Sequence, residues 1–128
     1  MKNELSAQTR ENIRLAAADA DAMLDDLIKV RRDIHAHPEQ RFEEVRTAGI
    51  AAEALRSLGI ETRTGVGKTG VVGVLRGGLG DGKVIGIRCD MDALPVIEKT
   101  GATYQSLTSG TMHAFGHDVH TTIGIGVA

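Results

Sequence analysis

Apolar residues at positions 11–35 recur at steps of three and four: Leu15, Ala18, Met23, Leu24, Leu27, Ile28 and Ile34. That spacing gathers side chains on one face of an α-helix. Pro38 lacks an N–H and disfavours helical geometry in the residue before it, so this helix is expected to end near His37. A second helix is predicted over about 42–57, with Val45, Ala48, Ala52 and Leu55 as its stripe and Gly59 placed to stop it. The period then shortens. Residues 60–64 alternate, while 71–76 and 83–89 are rich in β-branched side chains, which predicts three strands. The linkers G-V-G-K-T-G and G-G-L-G-D-G suit tight connections, the second as a hairpin loop slightly longer than the minimum. Beyond Pro95 the chain is irregular and polar as far as Gly110. From His117 the run T-T-I-G-I-G-V-A reads as the opening of a core helix, with Gly124 and Gly126 counting against it. Two helices, a strand meander and the start of another helix form an α/β layer pattern that is incomplete, cut off before closure.

Composition narrows this picture. A length of 128 residues suits one domain, and 41% hydrophobic with 25% charged residues describes a globular chain rather than a disordered one. Tyr104, Phe42 and Phe115 are the only rings outside the histidines, so the core must be built from Val, Ile, Leu and Ala. A formal net charge of −2 and no long run of Lys or Arg argue against nucleic acid as a partner. The single cysteine, Cys89, cannot form an internal disulfide, which fits a reducing compartment. Residues 1–11 lack the apolar stretch of a secretory signal, and no window approaches about 18 consecutive apolar residues. The expectation is a cytoplasmic protein without a membrane partner.

Two clusters could carry chemistry. R-C-D-M-D-A-L-P places Asp90 and Asp92 at the end of the third expected strand, and M-H-A-F-G-H-D-V-H holds His113, His117, Asp118 and His120. Neutral imidazole is a favoured ligand for Zn²⁺ and similar ions, and carboxylate oxygen is a good companion. Spacings of four and three would set the three histidines on one side of a helical turn. Gly116 would allow a left-handed backbone or close approach to an ion. Such a histidine cluster can equally be a surface loop, and Asp90 and Asp92 can equally cap a strand end through local hydrogen bonds. His35 and His37 read as residues of a helix C-terminus, where the dipole favours them. Cys89 reads as a small buried side chain. G-V-G-K-T-G lacks the spacing of a phosphate loop and has no long helix after it, which excludes nucleotide binding there.

Four blocks, collinear and in register from about Leu27 onward, sharpen these readings: R-R-D-I-H-A-H-P-E with F-E-E after it, G-V-G-K-T-G-V-V-G-V-L-R-G, D-M-D-A-L-P, and M-H-A-F-G-H-D-V-H-T. Together they resemble the metallopeptidase family of hippurate hydrolases, N-acyl-amino-acid amidohydrolases and plant auxin-conjugate hydrolases. The resemblance implies a zinc-peptidase-like catalytic α/β domain interrupted by a smaller domain that often dimerises, with residues 1–128 as the first part of the catalytic domain. It implies His117 as a metal ligand and Asp92 as a catalytic-site support beside the metal. It also implies a divalent ion (Zn, Mn, Co or Ni), a small N-acyl amino acid as substrate, and a homodimer formed through the domain absent here.

The chain departs from the family pattern at two points. Phe115 stands where the family has a cysteine ligand, and a phenyl ring has no lone pair to donate. The family's catalytic glutamate and remaining ligands have no counterpart among these residues. A catalytic zinc needs about three protein ligands plus water, so this stretch alone is expected to bind metal weakly, to show no amidase activity and to aggregate or associate with another chain. Two alternatives stand beside the amidohydrolase reading: a degenerate, non-catalytic relic of that enzyme, and a small metal-binding module built on His113, His117 and His120.

Overall fold

The computed structural model describes residues 5–78, 80 and 82–128. Five elements follow one another: α1 (Ala7–Ala36), α2 (Val45–Ser57), β1 (Glu61–Val66), β2 (Gly70–Val74) and α3 (His117–Val127). The helix α1 begins earlier than its apolar stripe. Ser6 caps it, its Oγ accepting the Thr9 amide at 3.1 Å, and its first turns are exposed. Only the C-terminal part of α1 enters the core, where Ile34 is fully buried. The break falls at His37, as Pro38 requires.

The second helix starts at Val45, later than expected. Phe42 has a left-handed backbone, with φ of 69°, and cannot belong to a right-handed helix. Glu39 supplies the missing cap. Its carboxylate accepts the Arg46 amide (2.8 Å), the Thr47 amide (2.8 Å) and the Thr47 hydroxyl (2.9 Å), joining the loop after α1 to the first turn of α2. A negative charge there also suits the positive end of the helix dipole.

β1 and β2 form an antiparallel hairpin, Glu61 opposite Val74 and Val66 opposite Gly70, with a bulge between Thr64 and Val66. The G-V-G-K-T-G linker is its turn, and Gly65, Gly67 and Lys68 all take positive φ. The third expected strand does not form: residues 83–89 have no strand partner among the described residues, and Val84 and Ile85 are 96% and 84% exposed. β-Branched side chains favour an extended backbone, but a strand exists only where a neighbour takes up its N–H and C=O groups. The expected hairpin loop in G-G-L-G-D-G lies partly outside the described residues, since Leu79 and Asp81 are not among them.

The segment after residue 89 is tied down by isolated bridges. Ala93 donates its amide to the Glu39 carbonyl at 2.7 Å, and Leu94 and Met112 exchange two backbone bonds of 2.9 Å each. These bridges carry the D-M-D motif alongside the start of α3. The core is small and largely alanine: Ala48, Ala51, Ala52 and Ala93 with Ile34 and Ile60. Gly124 and Gly126 do not break α3. A β-carbon at Gly124 would sit 2.7 Å from Cys89 Sγ, and one at Gly126 would sit 3.0 Å from Leu27 Cδ1. Each glycine lets a neighbouring segment approach the helix. No helix among the described residues is long and apolar enough to cross a membrane.

Candidate metal centre

Gly116 precedes α3 with a left-handed φ of 79°, as its place before His117 suggested. A residue in that conformation cannot continue a right-handed turn backwards, so α3 begins at His117. The Nδ1 of His117 lies 2.8 Å from the Asp92 carbonyl oxygen and 3.0 Å from Asp92 Oδ1. Both neighbours only accept, so Nδ1 carries the proton and donates it, leaving the lone pair on Nε2 free. Metal-bound histidines are oriented in the same manner, with the other ring nitrogen on a carboxylate or a carbonyl.

Around this ring three donors converge. One ligand atom each from Asp90, His117 and His120 can be chosen so that all lie within 4.8 Å of one another. The rings of His117 and His120, three residues apart on α3, stack at 5.3 Å and 28°. Asp90 Oδ2 lies 3.9 Å from His120 Nδ1, while Oδ1 is held by Arg88 at 2.7 Å. The Arg88 hydrogen bond keeps the Asp90 carboxyl below its ordinary pKa against a weaker opposing effect of burial. Thr121 closes the join, its hydroxyl within hydrogen-bond reach of the carbonyls of Asp90 (3.2 Å) and His117 (3.0 Å). The donor set of two imidazoles and one ionised carboxylate, with one imidazole already oriented, fits a divalent cation. Asp90 and Asp92 thus both meet the histidine cluster.

The expected trio of histidines is not on one face. His113 precedes the left-handed Gly116 and lies outside α3, where it is 4% exposed and neither ring nitrogen has a hydrogen-bond partner among the described residues. Burial lowers its pKa, opposed by the negative charge of Asp118. Phe115, at the position of the family cysteine, is 74% exposed, with its ring 6.4 Å from that of His117. Cys89 is half-buried and packs against Gly124 rather than joining the donors.

His35 does lie in the last turn of α1, and it is buried there, with Nδ1 2.7 Å from Asp118 Oδ2 and Nε2 3.2 Å from Glu98 Oε1. Arg31 Nε also lies 2.7 Å from Asp118 Oδ2, so Arg31, His35, Asp118 and Glu98 meet in one cluster. Burial raises the Glu98 pKa, but the Ser106 amide, the Thr100 hydroxyl and His35 together bring it below the ordinary value. The Tyr104 ring stacks under the guanidinium groups of Arg31 and Arg32 at 5.0 and 4.9 Å. His37 does mark the helix end, its Nδ1 donating to the Asp33 carbonyl at 2.9 Å. Sequence reading missed Glu98 and the burial of Asp118. One signal was present: Arg31 and His35, four apart, interrupt the apolar stripe of α1 with polar side chains on a single face.

One carboxylate and two imidazoles, one of them oriented by a second carboxylate, thus converge at the start of α3. The pattern of peptidase family M20/M25/M40 matches residues 86–128. The hippurate hydrolase of Campylobacter jejuni is 51% identical over 94 residues, 73% of this chain and 24% of that protein. Thermostable carboxypeptidase 1 of Saccharolobus solfataricus is 45% identical over 111 residues, 86% of this chain and 28% of that protein. The crystal structure of the Bacillus subtilis YXEP protein, described as a dinuclear metal binding peptidase from the M20 family, superposes with a TM-score of 0.76 at 44% identity, covering 82% of this chain and 30% of that one. The chain belongs to this peptidase family and corresponds to the N-terminal portion of its members, spanning less than a third of the length of these relatives.

Proposed function

We propose that these residues form the first part of the catalytic domain of a metal-dependent amidohydrolase that cleaves the amide bond of small N-acyl amino acids of the hippurate type. The observation that carries this reading is the His117–Asp92 pairing beside Asp90 and His120. It fixes the His117 tautomer and leaves Nε2 as a ligand. The names of the relatives supply the substrate class. When bound, a divalent ion of the zinc, manganese, cobalt or nickel group supplies Lewis acidity toward an amide carbonyl and toward water.

The chain's own residues then have distinct tasks. His117 binds through Nε2. Asp92 orients the ring and holds the proton at Nδ1. Asp90 brings negative charge, and His120 stacks on His117 and offers a second imidazole. Phe115 takes the place of a thiolate, which removes the softest donor and tilts metal choice away from soft ions. No residue described here is assigned as the general base that would move the water's proton to the leaving amine.

The test is metal content after dialysis together with hippurate hydrolysis, for the protein and its His117→Ala variant. Weak metal binding that is lost in the variant, with no hippurate turnover by these residues alone, is the expected result. Metal retained by His117→Ala would overturn the assignment. Tight stoichiometric binding without any turnover would instead favour a metal-binding module, which the three convergent donors also support.

A further inference from the structure

The R-R-D-I-H motif of α1 takes no part in the metal centre, yet two of its side chains reach to within one residue of it. Asp118 follows His117 directly and is fully buried. Its Oδ2 is hydrogen-bonded to His35 Nδ1 at 2.7 Å and ion-paired with Arg31 Nε, also at 2.7 Å but without hydrogen-bond geometry. The far nitrogen of His35 meets Glu98 Oε1 at 3.2 Å, and the other Glu98 oxygen accepts the Ser106 amide at 2.6 Å. Helix α1, helix α3 and the loop through residues 98–106 therefore converge on a single imidazole.

This convergence matters because, beside the contact of His117 with Asp92, the first turn of α3 is held by the fully buried Asp118. Gly116 provides no capping side chain. Successive residues of a helix are rotated by about 100°. Anchoring Asp118 inward therefore sets the direction in which His117 leaves the helix, and with it the approach of Nδ1 to Asp92. Thr121, one turn on, adds a second tie from α3, to the Asp90 carbonyl at 3.2 Å.

We propose that Asp118 and His35 are positioning residues. Their clamp sets the rotation of the first turn of α3 so that His117 keeps its proton on Nδ1, against Asp92, and presents Nε2 as the ligand. The consequence for metal binding rests on the function proposed above, whereas the His117–Asp92 pairing is a property of the metal-free chain. Arg31 strengthens the clamp from the rim, where it is part-exposed, and Glu98 holds His35 from behind.

The alternative is a buried ion cluster that only stabilises the fold. Histidine ¹⁵N chemical shifts separate the two, because they report which ring nitrogen carries the proton without any metal present. The protein and four variants are compared. Asp118→Asn keeps the shape but loses the charge. His35→Asn places an amide nitrogen near the Nδ1 position, toward Asp118. His35→Gln reaches the Nε2 position, toward Glu98. Ile34→Ala destabilises α1 in the core without touching Asp118.

We expect His117 to be the Nδ1–H tautomer in the parent, in His35→Asn and in Ile34→Ala. In Asp118→Asn and His35→Gln it becomes a mixture, and zinc affinity falls 10–100-fold, the range for lost partners of a metal-bound histidine. If Asp118→Asn does not fold, the His35→Asn and His35→Gln pair decides alone. An unchanged His117 tautomer in folded Asp118→Asn or His35→Gln overturns the proposal, as does an equal change in Ile34→Ala. Should the parent bind no zinc while its tautomer still follows Asp118, the metal assignment fails and the positioning role stands.

Discussion

Replacing Asp118 with alanine tests the buried cluster directly. The substitution removes the carboxylate that faces both His35 Nδ1 and Arg31 Nε. The two survivors fare differently. The Arg31 side chain is 27% exposed and can recover water, whereas the His35 side chain is 4% exposed and cannot. Breaking a buried ion pair by removing one partner costs about 3–5 kcal/mol. Rehydration of Arg31 places the expectation at the lower end, about 3 kcal/mol. That is a large share of the 5–15 kcal/mol by which domains are ordinarily stable. With urea slopes of about 1–3 kcal/mol per molar, the unfolding midpoint should fall by roughly 1–3 M. Urea titration followed by circular dichroism measures this.

The double substitution Asp118→Leu with His35→Leu supplies the sign test. Apolar side chains of similar volume in place of both partners are often neutral or stabilising, so the double variant should unfold at a higher urea concentration than Asp118→Ala alone. A midpoint in Asp118→Ala within about 0.3 M of the parent, less than a third of the smallest shift worked above, would show that the cluster is solvated and that the burial argument is wrong. A double variant no better than the single would show that the loss comes from packing rather than from the stranded polar ring of His35.

Three further outcomes follow from the same geometry. Phe115→Cys, at a site 74% exposed, should leave stability nearly unchanged and raise zinc affinity by at least tenfold in a competition assay with a chromogenic chelator, because a thiolate is a strong zinc ligand; unchanged affinity would mean the position does not face the ion. Burial holds the folded pKa of His113 below its ordinary 6.5, so the unfolded chain takes up the proton first on acidification. Its contribution to stability is therefore intact above about pH 6.5 and is lost as pH falls toward the folded value, and His113→Leu should flatten that part of the decline in urea midpoints. Gly124→Ala gains about 1 kcal/mol of helix propensity but meets Cys89 Sγ at 2.7 Å, and such overpacking costs about 1–3 kcal/mol; thermal melting should show a net loss that Cys89→Ala relieves.

Much of the fold was legible in local patterns. The three-and-four spacing marked both helices, Pro38 set the end of α1, and the glycines of G-V-G-K-T-G marked the hairpin turn. Local patterns were less sure at starts. Ser6 began α1 before its apolar stripe, and the left-handed Phe42 delayed α2. They failed at residues 83–89, whose strand-like composition is real but whose pairing depends on a neighbour that composition does not specify.

The candidate site divides along the same line. The resemblance carried by four motif blocks implied His117 as a ligand with Asp92 beside it and marked Phe115 as a departure, because such motifs are written locally, while residue types and spacing alone left Asp90 and Asp92 open between the site and a strand-end cap. Only the tertiary structure decided that His120 rather than His113 stands with Asp90 and His117. It also turned His35 inward onto Asp118, a contact across 83 residues. Burial and long-range pairing arise when separate elements pack, and no spacing along a chain encodes which polar side chain will be enclosed by that packing.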